Sequence, residues 1–199
     1  METLALWQTR RFAADESDTH QLKTSATKPL TIVHTEASTG WGGQEIRILQ
    51  EARWFRERGD RVILIAPRQS QIFARFTEAG FEARHCLFAK GRQWLDTFRL
   101  AREFKRLKPE VIGTHSSVDS WSGLLGARLA GVPVKLRYRH VSAPVHPHPL
   151  NRLLYGRASD HVLTTAECIR RELISKLKVA AARVTTVATG ILAPPFTLT

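Results

Sequence analysis

LTIVHTEASTGWGGQEIRILQEARWFRERGDRVILIA, residues 30–66, decides the fold. Residues 30–34 (LTIVH) are a short apolar run of the kind that forms a strand buried on both faces. Glycines 40, 42 and 43 around Trp41 interrupt it. Residues 44–58 then read as a helix, with Ile46, Leu49, Ala52 and Phe55 recurring on one side, and Gly59 stands where helices end. Residues 61–66 (RVILIA) form a second apolar run, closed by Pro67. Strand, helix and strand joined by short connectors make a βαβ unit, which places the two strands in parallel.

The same rhythm continues to the carboxyl side. The pattern predicts a helix over 69–79 ended by Gly80, a weaker strand over 82–88, and a helix over 93–107 with Trp94, Phe98, Ala101 and Leu107 turned inward. Strands follow at 110–114, 134–138, 161–164 and 183–187, and helices at 120–130, 151–158 and 167–177. Repeated strand–helix alternation predicts an α/β, Rossmann-like, doubly wound and mainly parallel sheet. Residues 29–192 form that domain. Residues 1–28, mixed in Thr, Ser, Asp and Gln, read as a poorly ordered extension, and 193–199 (APPFTLT) as a tail or the start of an interdomain linker.

In 199 residues the hydrophobic share is 43% and the charged share 24%, which suits a globular domain. The net charge of +12 and a pI near 10.6 make the surface attractive to polyanions: nucleic acid, an anionic leaflet or a phosphorylated substrate. Cys86 and Cys168 lack metal-ligand spacing, which argues against a zinc site or a disulfide framework and suits a reducing compartment. No apolar run approaches the roughly 20 residues of a membrane span, and residues 1–28 have no signal-peptide core. The expected location is cytoplasmic.

Ligands of a doubly wound sheet bind at the carboxyl ends of its strands, so chemistry is sought in residues 35–43, 67–70, 115–119, 140–148 and 165–167. The turn Gly40-Trp41-Gly42-Gly43 lets backbone approach a ligand and aims helix N–H groups at a phosphate, although a tight turn alone also uses glycine. It is not the dinucleotide fingerprint: position 45 is Glu, and Ala66-Pro67-Arg68 supplies no acid after the second strand. His115, Ser116 and Asp119 offer hydrogen bonds to sugar hydroxyls, while Ser117 or Asp119 also suits a helix cap. No Gly-x-Ser-x-Gly elbow accompanies them, which argues against a hydrolase. Arg137, Arg139 and His140 run off another strand, with arginines suited to phosphate or carboxylate. His146 and His148 resemble a metal pair without further ligands and read as surface loop. Arg92, Arg99, Arg102, Lys105, Arg106 and Lys108 load one helix with positive charge, as on a solvated face or one lying on anionic lipid.

Taken in order, Gly42-Gly43-x-Glu45, Arg-Gly-Asp-Arg-Val-Ile-Leu-Ile (58–65), Ala-Gly-Val-Pro (130–133) leading to His140, and Arg-Val-Thr-Thr-Val-Ala-Thr-Gly-Ile (183–191) resemble the amino-terminal domain of family 4 glycosyltransferases of the GT-B fold. The resemblance implies retaining sugar transfer from a nucleotide-sugar donor to a glycan or lipid-linked acceptor, with no metal and no cofactor. It implies a catalytic His140 at the reacting sugar and Gly42 and Gly43 beside the donor phosphates. It places Trp41, His115, Ser116, Asp119, Arg137 and Arg139 on the acceptor side. Lipopolysaccharide or another surface glycan, made at the inner face of a bacterial membrane, would be the product. Ala188-Thr189-Gly190 departs from the family's Pro-Asn-Gly. A second, carboxyl-terminal domain, carrying the basic pair and acidic residues that hold the nucleotide, is expected as partner.

Two other classes fit parts of the sequence. A non-catalytic basic module would bind nucleic acid or lipid phosphate, and salt-sensitive binding to random DNA would mark it; nucleic acid is not the expected partner of a transferase. An NADP-dependent oxidoreductase would use Arg68 for the extra phosphate, against the broken fingerprint.

Overall fold

The apolar run after Pro29 forms strand β1, Thr31–Thr35, in a computed structural model that describes residues 28–89 and 91–189. The order continues with α1 (Gly43–Glu57), β2 (Arg61–Ala66), α2 (Gln71–Glu78), β3 (Glu82–His85), α3 (Gln93–Leu107), β4 (Val111–Thr114) and α4 (Ser117–Ala130). It closes with β5 (Val134–Arg139), α5 (Pro149–Leu153) running into a π-helical turn (Leu154–Ala158), β6 (His161–Thr164), α6 (Glu167–Leu177) and β7 (Val184–Thr186). The first 27 residues and the expected tail at 193–199 lie outside the described residues.

All seven strands pair in parallel, in the order β3-β2-β1-β4-β5-β6-β7. The chain moves outward from β1 to β3, returns to place β4 against the other side of β1, and moves outward again. The gap between the carboxyl ends of β1 and β4 is therefore the topological switch point, where open α/β sheets bind ligands.

Side chains of β2 divide between the two faces, as period-2 geometry requires. Ile63 and Ile65 join Leu100, Phe104, Leu124, Ala127 and Leu173 on one side; Val62, Leu64 and Ala66 join Ile48, Ala52, Ile72 and Phe76 on the other. Helices α3, α4 and α6 thus cover one face, and α1 and α2 the other. Gly59, Gly80 and Gly131 all have positive φ and stop α1, α2 and α4 as read from the sequence. Among the described residues no helix is long and apolar enough to cross a membrane.

Several expectations about faces and ends change. On α3 the buried side is Thr97, Leu100, Ala101, Phe104 and Leu107, at i, i+3, i+4 spacing, whereas Trp94 and Phe98 are each 63% exposed. On α1 Ile48 is fully buried and Ile46 is exposed. The helix expected at 120–130 begins at Ser117, because Ser116 is its N-cap and Asp119 completes a capping box; Ser117 is exposed and caps nothing. The strand expected over 82–88 ends at His85, and the helix expected over 151–158 is the α5 turn and π turn together.

Candidate active site at the switch point of the sheet

β1 ends in His34 and Thr35 and is followed by Glu36, all three buried. In an otherwise apolar central strand, three polar residues in a row must find partners within the protein. The register sets His34 beside Gly113 of β4, and Gly113 beside Leu136 of β5. A Cβ at Gly113 would come within 2.9 Å of the Tyr138 ring and 3.2 Å of His34 Nδ1. The missing side chain is what lets rings from β1 and β5 meet across β4.

Asp119 ties this rim together. Its Oδ2 accepts from Thr35 Oγ1 at 2.6 Å and from the His115 amide at 3.0 Å, and its Oδ1 accepts from the amide and the hydroxyl of Ser116 at 2.8 and 2.5 Å. One carboxylate thereby joins β1, the turn after β4 and the first turn of α4. Desolvation pushes its pKa up; Arg137 and the donated hydrogen bonds pull the other way. Glu36 accepts from the Ser38 amide at 2.7 Å and from the Gln44 side chain. Burial, with the Asp119 charge adding to it, pushes Glu36 up to about 8.

Three imidazoles follow one another across the same rim. His34 Nδ1 lies 2.9 Å from His115 Nε2, and His115 Nδ1 lies 2.9 Å from His140 Nε2. The Tyr138 ring stacks on His115 at 4.3 Å and on His140 at 5.8 Å between centroids. Desolvation lowers the pKa of each histidine. At His140, with Arg47 and Arg137 repelling a further positive charge, the value falls to about 3, so the ring is neutral at physiological pH. It can donate or accept a hydrogen bond, and it carries no positive charge to a ligand.

A cleft of about 180 Å³ opens here, lined by Gln44, His115, Ser116, Ser117, Arg137, Arg139, His140 and Val141. It gathers most of the residues expected from the sequence, although their roles differ in kind. Arg137 is only 2% exposed and spends one terminal nitrogen on the carbonyls of Thr114, His115 and Tyr138, at 3.2, 2.7 and 2.6 Å. It locks the ends of β4 and β5 in place. Arg139 bonds the carbonyl of Ala143. Trp41 does not line the cleft: it packs on the α1–α2 side with the Arg75 guanidinium 4.2 Å over its ring.

Gly42 and Gly43 sit at the start of α1, where the Gly42 amide bonds Glu45 at 2.9 Å. Neither glycine is among the residues of positive φ, and a Cβ on Gly43 would meet nothing within 4 Å. The turn therefore does not require glycine for its shape, and the space beside Gly43 is open, next to Gln44 of the cleft. His148 caps α5 through Nδ1, which accepts from the Leu150 amide at 3.2 Å. Among the described residues no three His, Cys, Asp or Glu side chains converge as a metal site.

His34, Glu36, Gln44 and Tyr138 belong to the site without a motif of their own in the sequence. The only signal for the first two is the polar ending His-Thr-Glu on a strand that is otherwise apolar.

A doubly wound sheet with a polar cleft at its switch point defines a Rossmann-like domain built to hold a ligand along one rim. Residues 41–192 match the sequence profile of Glycosyltransferase Family 4, and the chain belongs to that family. No curated protein matches it significantly. Among solved structures, a glycosyltransferase from Rickettsia africae ESF-5 superposes with a TM-score of 0.69 at 13% identity, over 83% of this chain and 44% of that one. The lipopolysaccharide outer core galactosyltransferase WaaB in its apo form gives 0.59 at 10% identity, over 79% and 45%. A UDP-GlcNAc 2-epimerase from Neisseria meningitidis bound to UDP-GlcNAc gives 0.58 at 13% identity, over 79% and 45%. These likenesses are of fold, one Rossmann-like half of the GT-B architecture, and the chain spans less than half the length of each.

Proposed function

We propose that this chain is the acceptor-side half of a retaining glycosyltransferase. In this reading a sugar passes from a nucleotide-diphosphate donor to a glycan or lipid-linked acceptor, without a metal or cofactor. A second, Rossmann-like carboxyl-terminal domain grips the nucleotide. The size and place of the cleft carry the reading: it lies at the carboxyl ends of β4 and β5, and its volume of about 180 Å³ is on the scale of a sugar ring or a diphosphate, against the roughly 300–1,000 Å³ of a pocket that encloses a larger ligand. Membership of the family favours transfer over the epimerisation performed by one neighbour of the same fold. His140 stands at the reacting sugar, the Gly42–Gly43 backbone by the donor phosphates, and His115, Ser116 and Arg139 toward the acceptor.

The test is turnover in the two-domain assembly. His140→Ala is expected to lower kcat on the order of 10²-fold, the usual loss on removing one transition-state hydrogen bond, with the far-ultraviolet circular dichroism unchanged. Gly43→Val folds, since its side chain enters open space, and raises the KM for the donor. Full turnover in His140→Ala would defeat the assignment.

The exposed face of α3 favours a location as well. Trp94 and Phe98 stand out among exposed Arg92, Arg99, Arg102, Lys105 and Arg106, a pairing of aromatic and cationic side chains suited to an anionic leaflet. We place the protein in the cytoplasm, peripheral to the inner face of the membrane and serving a surface glycan such as lipopolysaccharide. Co-sedimentation with vesicles of phosphatidylglycerol and phosphatidylcholine is expected, and a Trp94→Ala, Phe98→Ala double variant should bind several-fold less. Equal binding to neutral vesicles, or preference for random-sequence DNA, would count against it.

A further inference from the structure

The line of histidines has a direction that its hydrogen-bond geometry determines. A neutral imidazole carries one N–H and one lone pair. His115 touches a ring nitrogen on each side, so it donates to one neighbour and accepts from the other. Two arrangements follow. In the inward one, His140 donates to His115 and His115 to His34, which leaves the proton of His34 on Nε2. That atom is buried and has no hydrogen-bond partner among the described residues. A buried N–H without an acceptor is rarer and costlier than an unpaired lone pair. In the outward arrangement His34 Nδ1–H donates to His115 Nε2, and His115 Nδ1–H donates to His140 Nε2. The orphaned atom of His34 is then only a lone pair. His140, half-buried and lining the cleft, carries its proton on Nδ1.

We propose that His34 and His115 are positioning residues that fix His140 as its Nδ1–H tautomer, so that His140 offers a hydrogen-bond donor to an oxygen in the cleft. Free imidazole of histidine prefers the opposite tautomer, so the chain of rings imposes the state. Gly113 makes room for the chain, and Tyr138 stacks on His115 and His140, with the His34 ring tilted 39° from that of His115. The buried His34, which does not line the cleft, thereby decides whether His140 meets a sugar or phosphate oxygen with a donor or an acceptor. A donor suits an oxygen that gains negative charge as a glycosidic bond breaks. Only the identity of that oxygen rests on the glycosyltransferase reading; the tautomer does not.

Long-range ¹⁵N–¹H correlation spectra of the histidine-labelled chain, at neutral pH, test the proposal. His140 is expected to show a protonated Nδ1 and a bare Nε2, and so are His34 and His115. His34→Asp puts acceptor oxygens beside His115 Nε2, and His115 and His140 should then turn to Nε2–H. His34→Asn, whose amide N–H falls near the place of Nδ1–H, should restore Nδ1–H at His140. A wild-type His140 protonated at Nε2 would overturn the proposal without any variant. So would a His140 tautomer that His34→Asp leaves unchanged. If transfer is absent from the two-domain assembly while the tautomers stand as expected, the enzyme assignment fails and this inference survives.

Discussion

Asp119→Ala is expected to lower the unfolding free energy by about 3 kcal/mol or more, from the loss of a helix cap and the orphaning of several buried donors at once. The carboxylate accepts from Thr35, from the His115 amide and twice from Ser116. Alanine strands the Thr35 hydroxyl and the His115 amide in the core, where each unpaired group costs about 1–3 kcal/mol. Release of a buried, desolvated carboxylate offsets part of that loss. For a domain of this size the net change corresponds to a fall in Tm of roughly 6–12 °C, read by calorimetry. Asp119→Asn keeps one acceptor and should lose less. Ser117→Ala, on the neighbouring exposed residue, should fall within about 0.5 kcal/mol of the parent. A loss below 1 kcal/mol in Asp119→Ala would mean that the rim does not depend on this carboxylate. A loss confined to stability, with the histidine tautomers unmoved, would separate its capping role from any part in holding His115.

The contrast between Ser117 and Asp119 shows what a sequence reveals of such a site. Parallel strands buried on both faces announce themselves as apolar runs, so β2 stands out at RVILIA and β6 at HVLT. Gly59, Gly80 and Gly131 mark helix ends because those backbones need positive φ. Faces are harder to read when a helix buries polar groups. α1 buries Glu45 and Arg47 beside Ile48, which blurs the period and made Ile46 look like core. On α3 the two aromatic residues drew the expected face toward solvent-exposed positions, while smaller Thr97 and Ala101 meet α4 at Gly126. His115 and His140 could be picked out because each directly follows a strand. His34 could not, because its meaning depends on β1 lying beside β4. Strand order is set by packing of the whole sheet and has no local signature. The same holds for Glu36, whose burial follows from facing Asp119 and Gln44 across the switch point.

Those buried groups also make stability depend on pH, and the direction is set by two opposed sets of protons. Below pH 6.5 the unfolded chain protonates its histidines, whereas the folded protein keeps His34, His115 and His140 neutral, the last down to about 3. A depressed histidine pKa gives stability that is present above 6.5 and lost as pH falls. His161, lowered by burial and by Arg183, acts with the same sign. Glu36 opposes them. Its pKa is raised from 4.5 to about 8, so its contribution is full below 4.5 and declines as pH rises through that window. Asp119 is also raised and joins it. Each net proton taken up on unfolding is worth about 1.4 kcal/mol per pH unit. Four imidazoles against two carboxyls leave a net loss on the order of 1–3 kcal/mol per unit of acidification. Urea midpoints followed by tryptophan fluorescence should therefore fall steeply between pH 6.5 and 5. Glu36→Gln separates the two sets: it removes the carboxyl that must ionise, so the variant should be more stable than the parent at pH 8.5 and fall more steeply below 6.5. A midpoint that stays level from pH 7 to 5 in the parent would show that the histidines take up protons in the folded state, and the neutral line of rings across the rim would have to be abandoned.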